Sequence, residues 1–168
     1  QTSGNIAVGD EEVVRFMHFI NGFNQLFDDS KNQTISDKYA EIKKFFAEKK
    51  EGDMDSRDIL TIKGLIRRGE ARTACTYNNI PLSRCHFLDL PFYETGKIEK
   101  NPISLPDIEI VLNLLREVKP HQIYVAGDLA DPHGTHRVCT DAVFAAIDEE
   151  KNAGAEWLND CRIWMYRG

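Results

Sequence analysis

The sequence predicts a mixed α/β fold in which a mostly parallel sheet lies between layers of helices. Short apolar runs at residues 85–90, 123–126 and 161–166 have the length and composition of strands that are buried on both faces. Segments with apolar residues at helical spacing alternate with them. This alternation is typical of a Rossmann-like three-layer sandwich. The chain of 168 residues is long enough for one domain with its own core.

The first part of the chain predicts two amphipathic helices. The first begins near Asp10, where acidic residues suit the positive end of the helix dipole. A polar turn at 28–34 follows, and Ser36 is a suitable cap for the second helix. We expect the aromatic residues of both helices to form core: Phe16, Phe23, Phe27, Phe45 and Phe46. The lysines of the second helix and its end, Lys43, Lys44, Lys49 and Lys50, are expected to face water.

The remaining elements alternate as a parallel sheet requires. A third helix is predicted from Asp55 or Ser56 to about Tyr77, and the strand 85–90 follows it. Pro106 sits early in the next helix, where its missing N–H costs little, and this helix ends at Lys119. The strand 123–126, a helix over 135–151 and the strand 161–166 complete the chain.

Composition excludes several classes of protein. The net charge of −6 offers no positive surface for a nucleic-acid backbone. The sequence has no apolar stretch long enough for a membrane helix and no signal-peptide pattern at its start. The four cysteines occur singly, which favours buried thiols in a reducing compartment. We therefore expect a soluble, cytoplasmic protein.

The loop after the strand 123–126 carries the richest set of polar residues. Ligands of open parallel sheets bind beyond the carboxyl ends of the strands. His133 and His136 are three residues apart at a helix N-terminus, so they can face one metal ion or one substrate, with carboxylates such as Asp131 beside them. This spacing arises by chance in roughly one such sequence in ten. Two ordinary surface histidines therefore remain an alternative.

Two further candidates also have plain structural interpretations. Arg67 and Glu70 are three residues apart and could form an ordinary surface pair worth about 0.2–0.5 kcal/mol. Tyr93 lies in a loop that could cover a substrate or could simply connect two elements.

Four segments together resemble the LmbE-like (PIG-L-type) deacetylase family. The chain is most similar to the deacetylase domain fused to bacterial glucosamine-6-phosphate deaminase (isomerase) proteins. The resemblance extends along nearly the whole chain and rests on these segments: Thr2 to Gly4, Arg67 to Glu70, Phe87 to Tyr93, and Asp131 to His136.

The resemblance implies a zinc-dependent hydrolase that removes an N-acetyl group from an amino sugar of the N-acetylglucosamine type. It implies that His136 is a zinc ligand and that His133 stabilises or protonates the reacting group. Arg67 would lie near the active site with Glu70 as its partner. We expect the substrate-binding residues to be Thr2, Gly4, Tyr93 and Asp131.

One departure from the family concerns the metal site. The family's other ligands and its general base come from a His-Pro-Asp-Asp segment, which is absent from this sequence. The resemblance places that segment before Gln1, so we expect a partial deacetylase domain, truncated at the N-terminus, in residues 1–168. We expect the chain alone to be inactive and a fused deaminase domain to be present in the parent protein.

Two alternatives remain open. The domain could be a regulatory module of the deaminase that binds a sugar phosphate without catalysis. The chain could also be a stable core whose uncovered apolar faces make copies associate.

Overall fold

A computed structural model describes residues 2–27, 33–95, 99–127 and 134–167. The described chain is mixed α/β, mostly helical, with a two-stranded parallel sheet. It forms two compact units: a helical unit, Gly4–Cys85, and an α/β unit made of His86–Thr95, Glu99–Gly168 and the first residues of the chain. The helices and strands are α1 (Asp10–Phe27), α2 (Gln33–Glu48), α3 (Arg57–Tyr77), α4 (Leu105–Val118), β1 (Gln122–Ala126), α5 (Thr135–Asn152) and β2 (Arg162–Tyr166).

The helical unit has a small apolar core formed by α1, α2, α3 and the segment that precedes α1. Its buried residues are Val8, Val13, Met17, Ile42 and Ile66. α3 begins where the sequence predicts, because the hydroxyl of Ser56 accepts a hydrogen bond from the backbone N–H of Ile59 at 3.4 Å. α2 begins earlier than predicted, at Gln33 instead of near Ser36.

The prediction that Phe16 and Phe23 belong to the core is wrong. Phe16 is 39% exposed and Phe23 is 54% exposed, and Phe19 beside them is 68% exposed. α1 therefore carries apolar residues on two sides, of which one packs onto the core and the other faces outward. Side-chain periodicity identifies an apolar stripe but not which of two stripes finds a partner. Association between copies of the chain stays a prediction.

Four charged side chains join the elements of the helical unit in a closed ring, the Lys–Asp ring: Asp10, Lys49, Asp55 and Lys63. Each lysine Nζ lies 2.6–2.7 Å from a carboxylate oxygen of both aspartates. The side chain of Lys63 is only 5% exposed. The prediction that Lys49 faces water is wrong, since its side chain is 18% exposed and bonded to two carboxylates.

The α/β unit contains the pair of parallel strands. β1 and β2 run in register from Gln122 opposite Arg162 to Ala126 opposite Tyr166. α5 packs on β1 and α4 packs along α5. The buried residues of this unit come mainly from α4, β1 and α5: Val111, Leu112, Leu115, Val125, Ala142, Val143, Ala146 and Ile147.

One face of this sheet is open in the described part of the chain. Tyr124 is 62% exposed and its register partner Trp164 is 49% exposed, whereas Val125 on the other face is buried. Parallel sheets normally have both faces covered. The parallel pairing and the helix on one face agree with the predicted fold, and the full three-layer sandwich stays a prediction, as does the assignment of residues 1–168 to one domain.

A buried carboxylate organises the start of α4. Asp107, which is fully buried, accepts hydrogen bonds from the backbone N–H of Phe92 at 2.8 Å and of Ser104 at 2.9 Å. The hydroxyl of Ser104 is a further donor to Asp107 at 2.5 Å. Together with the Ser104 cap, this is a capping box at the N-terminus of α4. The sequence signal for it, a serine three residues before an acid, is visible at the predicted start of this helix.

The predicted strand at residues 85–90 is wrong, because this segment forms no strand in the structure. Asp89 has a positive φ of 46°, which interrupts extended backbone. The burial that the apolar run predicts is nevertheless present at its end, since Leu90 is 0% exposed and Phe92 is 1% exposed.

Within the described ranges, every helix is too short or too polar to cross a lipid bilayer. A cytoplasmic location stays a prediction.

Candidate functional site

The carboxyl end of β1 is fixed against β2 and α5. The backbone N–H of Gly127 donates to the carbonyl of Tyr166 at 2.7 Å, which continues the pairing beyond the last strand residue. A Cβ atom at Gly127 would lie 2.8 Å from Cβ of Met165, so a side chain at this position would collide with β2. The hydroxyl of Thr140 on α5 donates to the carbonyl of Ala126 at 2.6 Å. The carboxyl end of β1 is therefore held by hydrogen bonds to both β2 and α5.

The end of the predicted histidine segment lies at the start of α5. Gly134 precedes α5 with a positive φ of 67°, a conformation that favours glycine, and its carbonyl accepts the first helical hydrogen bond from Val138 at 3.0 Å. His136 lies in the first turn of α5 and is exposed. Asp131 and His133 lie outside the described residues, and their roles stay predictions.

Tyr93 is not an exposed loop residue, as a lid would be, but a buried one. It is 5% exposed, and its ring contacts the ammonium group of Lys100, whose Nζ lies 4.7 Å from the ring centroid. Burial lowers the pKa of Lys100. Nothing in the local sequence pattern indicated Lys100, since a lysine in a polar loop is ordinarily solvated. The contact gives Tyr93 a structural role, and substrate binding by Tyr93 stays a prediction.

The first described residues lie against the turn that contains Tyr93. The backbone N–H of Ser3 donates to Oε1 of Glu94 at 3.2 Å, and Ser3 is buried. Thr2, the preceding residue, is half-buried. The α/β unit thus brings Thr2 and Tyr93 into one neighbourhood.

Gly4 and Arg67, two other predicted site residues, meet in the helical unit. Gly4 has a positive φ of 66°, and a Cβ atom there would lie 3.3 Å from Nε of Arg67. Arg67 forms an ion pair with Glu70, and both side chains are 48% exposed. This is the pair that the sequence predicts. Its exposure is also what an ordinary surface pair three residues apart on a helix would show.

The described residues do not complete a metal site. Among them, no group of three or more His, Cys, Asp or Glu side chains could hold a metal ion. A catalytic zinc takes about three protein ligands. His136 is the described residue to which the resemblance assigns a bond to zinc, and it does not by itself fit the ion.

Two open clefts lie in the helical unit, and none of the predicted site residues that the structure describes lines either of them. One has a volume of about 510 Å³ and borders the Lys–Asp ring, with Asp10, Lys49 and Asp55 in its lining. The other, of about 210 Å³, lies between α2 and the start of α3 and includes Ile42 and Ser56. The carboxylates of Asp10 and Asp55 at the larger cleft are already paired with Lys49 and Lys63.

Comparison with known proteins finds one strong relative. The chain is 82% identical, over all of its 168 residues, to a protein of Bacteroides thetaiotaomicron that carries the provisional name glucosamine-6-phosphate deaminase-like protein. The chain spans 25% of the length of that relative. No protein-family model matches the chain, and no solved structure matches it.

The relative supports part of what the resemblance implies. The name agrees with an association with glucosamine-6-phosphate metabolism, and the greater length agrees with a further domain in the parent protein. The deacetylase family itself, the zinc ion and the roles of individual residues stay predictions.

Proposed function

We propose that this chain is part of a hydrolase domain that removes the N-acetyl group from an amino sugar of the N-acetylglucosamine type, in a larger protein of glucosamine-6-phosphate metabolism. The observation that carries the proposal is the position of His136. It lies in the first turn of the helix that follows β1, beyond the carboxyl end of a parallel strand pair. Open α/β sheets bind their ligands at this edge.

The resemblance to the deacetylase family suggests a chemical role for each site residue. His136 is proposed to bind zinc, and His133 to stabilise the developing oxyanion or to protonate the leaving amine. A bound zinc ion supplies charge stabilisation and a water of lowered pKa. Asp131 and Thr2 are proposed to contact the sugar, and zinc itself is proposed for the complete parent protein.

Arg67 and Gly4 are proposed to act as a pair. A Cβ atom at Gly4 would lie 3.3 Å from Nε of Arg67, so the glycine leaves room for the arginine side chain at this position. Glu70 neutralises and orients the same guanidinium group. An arginine held in this way can donate to a sugar hydroxyl or phosphate oxygen of the substrate.

The test uses a chimera in which this chain replaces the matching quarter of the Bacteroides relative. Acetate release is measured from N-acetylglucosamine and from its 6-phosphate, with zinc present. We expect activity in the chimera and a loss of about 100-fold or more in His136→Ala, because a proposed metal ligand is removed. His121→Ala is the matched control, since His121 is an exposed histidine of the same unit that precedes β1, and it should leave turnover unchanged.

A second candidate function draws on the name of the relative, which mentions the deaminase and no deacetylase. The domain would bind a sugar phosphate as a regulatory module and would not release acetate. Calorimetric titration of the chimera with glucosamine 6-phosphate separates the two. Binding without acetate release supports the module, and acetate release that depends on His136 supports the hydrolase.

A further inference from the structure

α1 carries a second apolar stripe, the outer stripe, on the side that faces away from the core of the helical unit. Its side chains are 39–74% exposed: Phe16, Phe19, Ile20, Phe23 and Leu26. The core side of the same helix is formed by other residues, such as Val13 and Met17, which are 0% and 6% exposed. α1 therefore has apolar surface for two packing partners, and the core of the helical unit accounts for one of them.

The spacing within the outer stripe is typical of a helix that packs against another helix. Intervals of three, four and three residues separate the members of its central row, Phe16, Phe19, Phe23 and Leu26. This is the a/d spacing of a coiled-coil seam, in which side chains of one helix fit between those of a neighbouring helix. Gly22 lies beside this row, and a Cβ atom there would meet nothing within 4 Å, so a second helix can approach closely.

The same spacing is self-complementary. The intervals three, four and three read identically in both directions, so two antiparallel copies of α1 match each other about a two-fold axis near Asn21. Phe16 of each copy then lies opposite Leu26 of the other. Phe19 lies opposite Phe23 in the same way. No Asp, Glu, Lys or Arg occurs in the sequence between Phe16 and Leu26, so this row brings no like charges together although each chain has a net charge of −6.

The exposed area of the outer stripe is sufficient for a dimer. Aromatic side chains bury about 150–250 Å² each when they are fully covered. With three phenylalanines and two aliphatic residues exposed to the degree given above, each copy presents about 500 Å² of apolar surface. Pairing two copies covers about 1,000 Å², which is the lower end of the range for specific interfaces. We therefore expect a dimer that dissociates on dilution.

We propose that the outer stripe is a dimer interface, in which α1 pairs antiparallel with α1 of a second copy of this chain. The partner is a second copy because the central row matches itself in spacing and because the paired area reaches the size of a specific interface. The inference does not depend on the proposed hydrolase function, since no residue of the outer stripe belongs to the candidate site.

Sedimentation equilibrium of the wild-type chain tests the proposal without any variant. The weight-average mass should rise with protein concentration toward twice the mass of one chain. A mass that stays at that of one chain at every concentration would overturn the proposal.

Charged variants test the antiparallel pairing. Phe19→Glu and Phe23→Lys should each raise the dissociation constant of the dimer by about 100-fold or more, because each buries a charge opposite a phenylalanine. A one-to-one mixture of the two variants should recover a dimer, because the introduced carboxylate of one chain then lies opposite the introduced ammonium group of the other. Far-ultraviolet circular dichroism checks that both variants keep their helices. A mixture that stays monomeric while the wild-type chain dimerises would overturn the pairing.

The matched control is Tyr77→Glu. Tyr77 is 87% exposed at the end of α3 in the same unit, so its replacement should leave the dissociation constant unchanged. A dimer that persists in Phe19→Glu but is lost in Trp164→Glu would assign the contact to the open face of the sheet. If the chain alone is monomeric and Phe19→Glu lowers the melting temperature of the chimera with the Bacteroides relative, the remaining part of the parent protein covers the outer stripe. Either result would overturn the proposal.

Discussion

The two units bury carboxylates in different ways. In the helical unit, Asp55 is 12% exposed and faces the ammonium groups of Lys49 and Lys63. In the α/β unit, Asp107 is fully buried and is held by hydrogen bonds from two backbone N–H groups and a hydroxyl. In the helical unit, the negative charge of the carboxylate is therefore neutralised by positive charges. In the α/β unit, it is stabilised by hydrogen bonds from uncharged donors.

This difference determines how much stability each unit loses when one of the charged residues is replaced. The Lys–Asp ring joins residues far apart in sequence, such as Asp10 and Lys63, so it links α1, α3 and the chain between α2 and α3. Removing one member leaves a surplus charge at a poorly solvated place. The bonds of Asp107 are mostly local, and its loss leaves uncharged donors without an acceptor, which costs less.

The largest effect is expected for Lys63→Met, which keeps most of the unbranched side chain but removes its charge. Asp10 and Asp55 then share one lysine, and we expect the free energy of unfolding to fall by about 3 kcal/mol. Urea unfolding followed by far-ultraviolet circular dichroism measures it.

The matched control is Lys38→Met. Lys38 also lies 2.7 Å from two carboxylates, those of Glu41 and Asp58, but its side chain is 40% exposed. Water replaces the lost partner there, so the change should be much smaller. If both lysine variants lose the same free energy of unfolding, burial of the Lys–Asp ring does not add to its stabilising effect.

A smaller effect is expected for Asp107→Ala in the α/β unit. The variant loses the capping box and leaves the backbone N–H of Phe92 buried without an acceptor, at a cost of about 2 kcal/mol. Trp157 and Trp164 both belong to this unit, so tryptophan fluorescence reports its unfolding. Asp107→Asn, which retains one acceptor oxygen, should recover part of the loss, and an alanine variant as stable as the wild type would contradict the role given to Asp107.

The smallest effect is expected from acid. Burial alone would raise the pKa of Asp10, but hydrogen bonds from Lys49 and Lys63 outweigh it and hold this pKa below its usual value. A carboxylate whose pKa is lowered by folding stabilises the folded state above its unfolded pKa of about 3.9, and this stabilisation is lost as the pH falls through the lower, folded value. Melting curves between pH about 5 and about 2 should show the loss, and Asp10→Asn should have a flatter profile. If the melting temperature of Asp10→Asn depends on pH as steeply as that of the wild type, the acid sensitivity comes from other carboxylates.

The periodic spacing of apolar residues predicted most of the helices and strands. It did not predict contacts between residues that are far apart in sequence. α3, α4, α5 and both strands follow from helical spacing, caps and short apolar runs. The same reasoning assigned Lys49 to water, because the periodic pattern of the second helix does not show its partners Asp10 and Asp55. It predicted a strand at 85–90, because hydrophobic composition does not reveal a residue such as Asp89 with a positive φ.

The candidate site was predictable to a similar degree. The place of His136 at the start of the helix that follows β1 is predicted by the order of elements. The close approach of Gly4 and Arg67 joins two of the sequence segments that carry the resemblance, which the spacing of those segments along the chain does not show.

The parallel pairing of β1 and β2 has a consequence for the order of folding. The whole of α5 lies between the two strands along the chain, so no hydrogen bond between them can form until that stretch has closed into a large loop. Contacts of such long sequence separation are slow to form, whereas helices form locally. The hydrogen bond from the N–H of Gly127 to the carbonyl of Tyr166, which fixes the carboxyl end of β1, therefore forms late in folding.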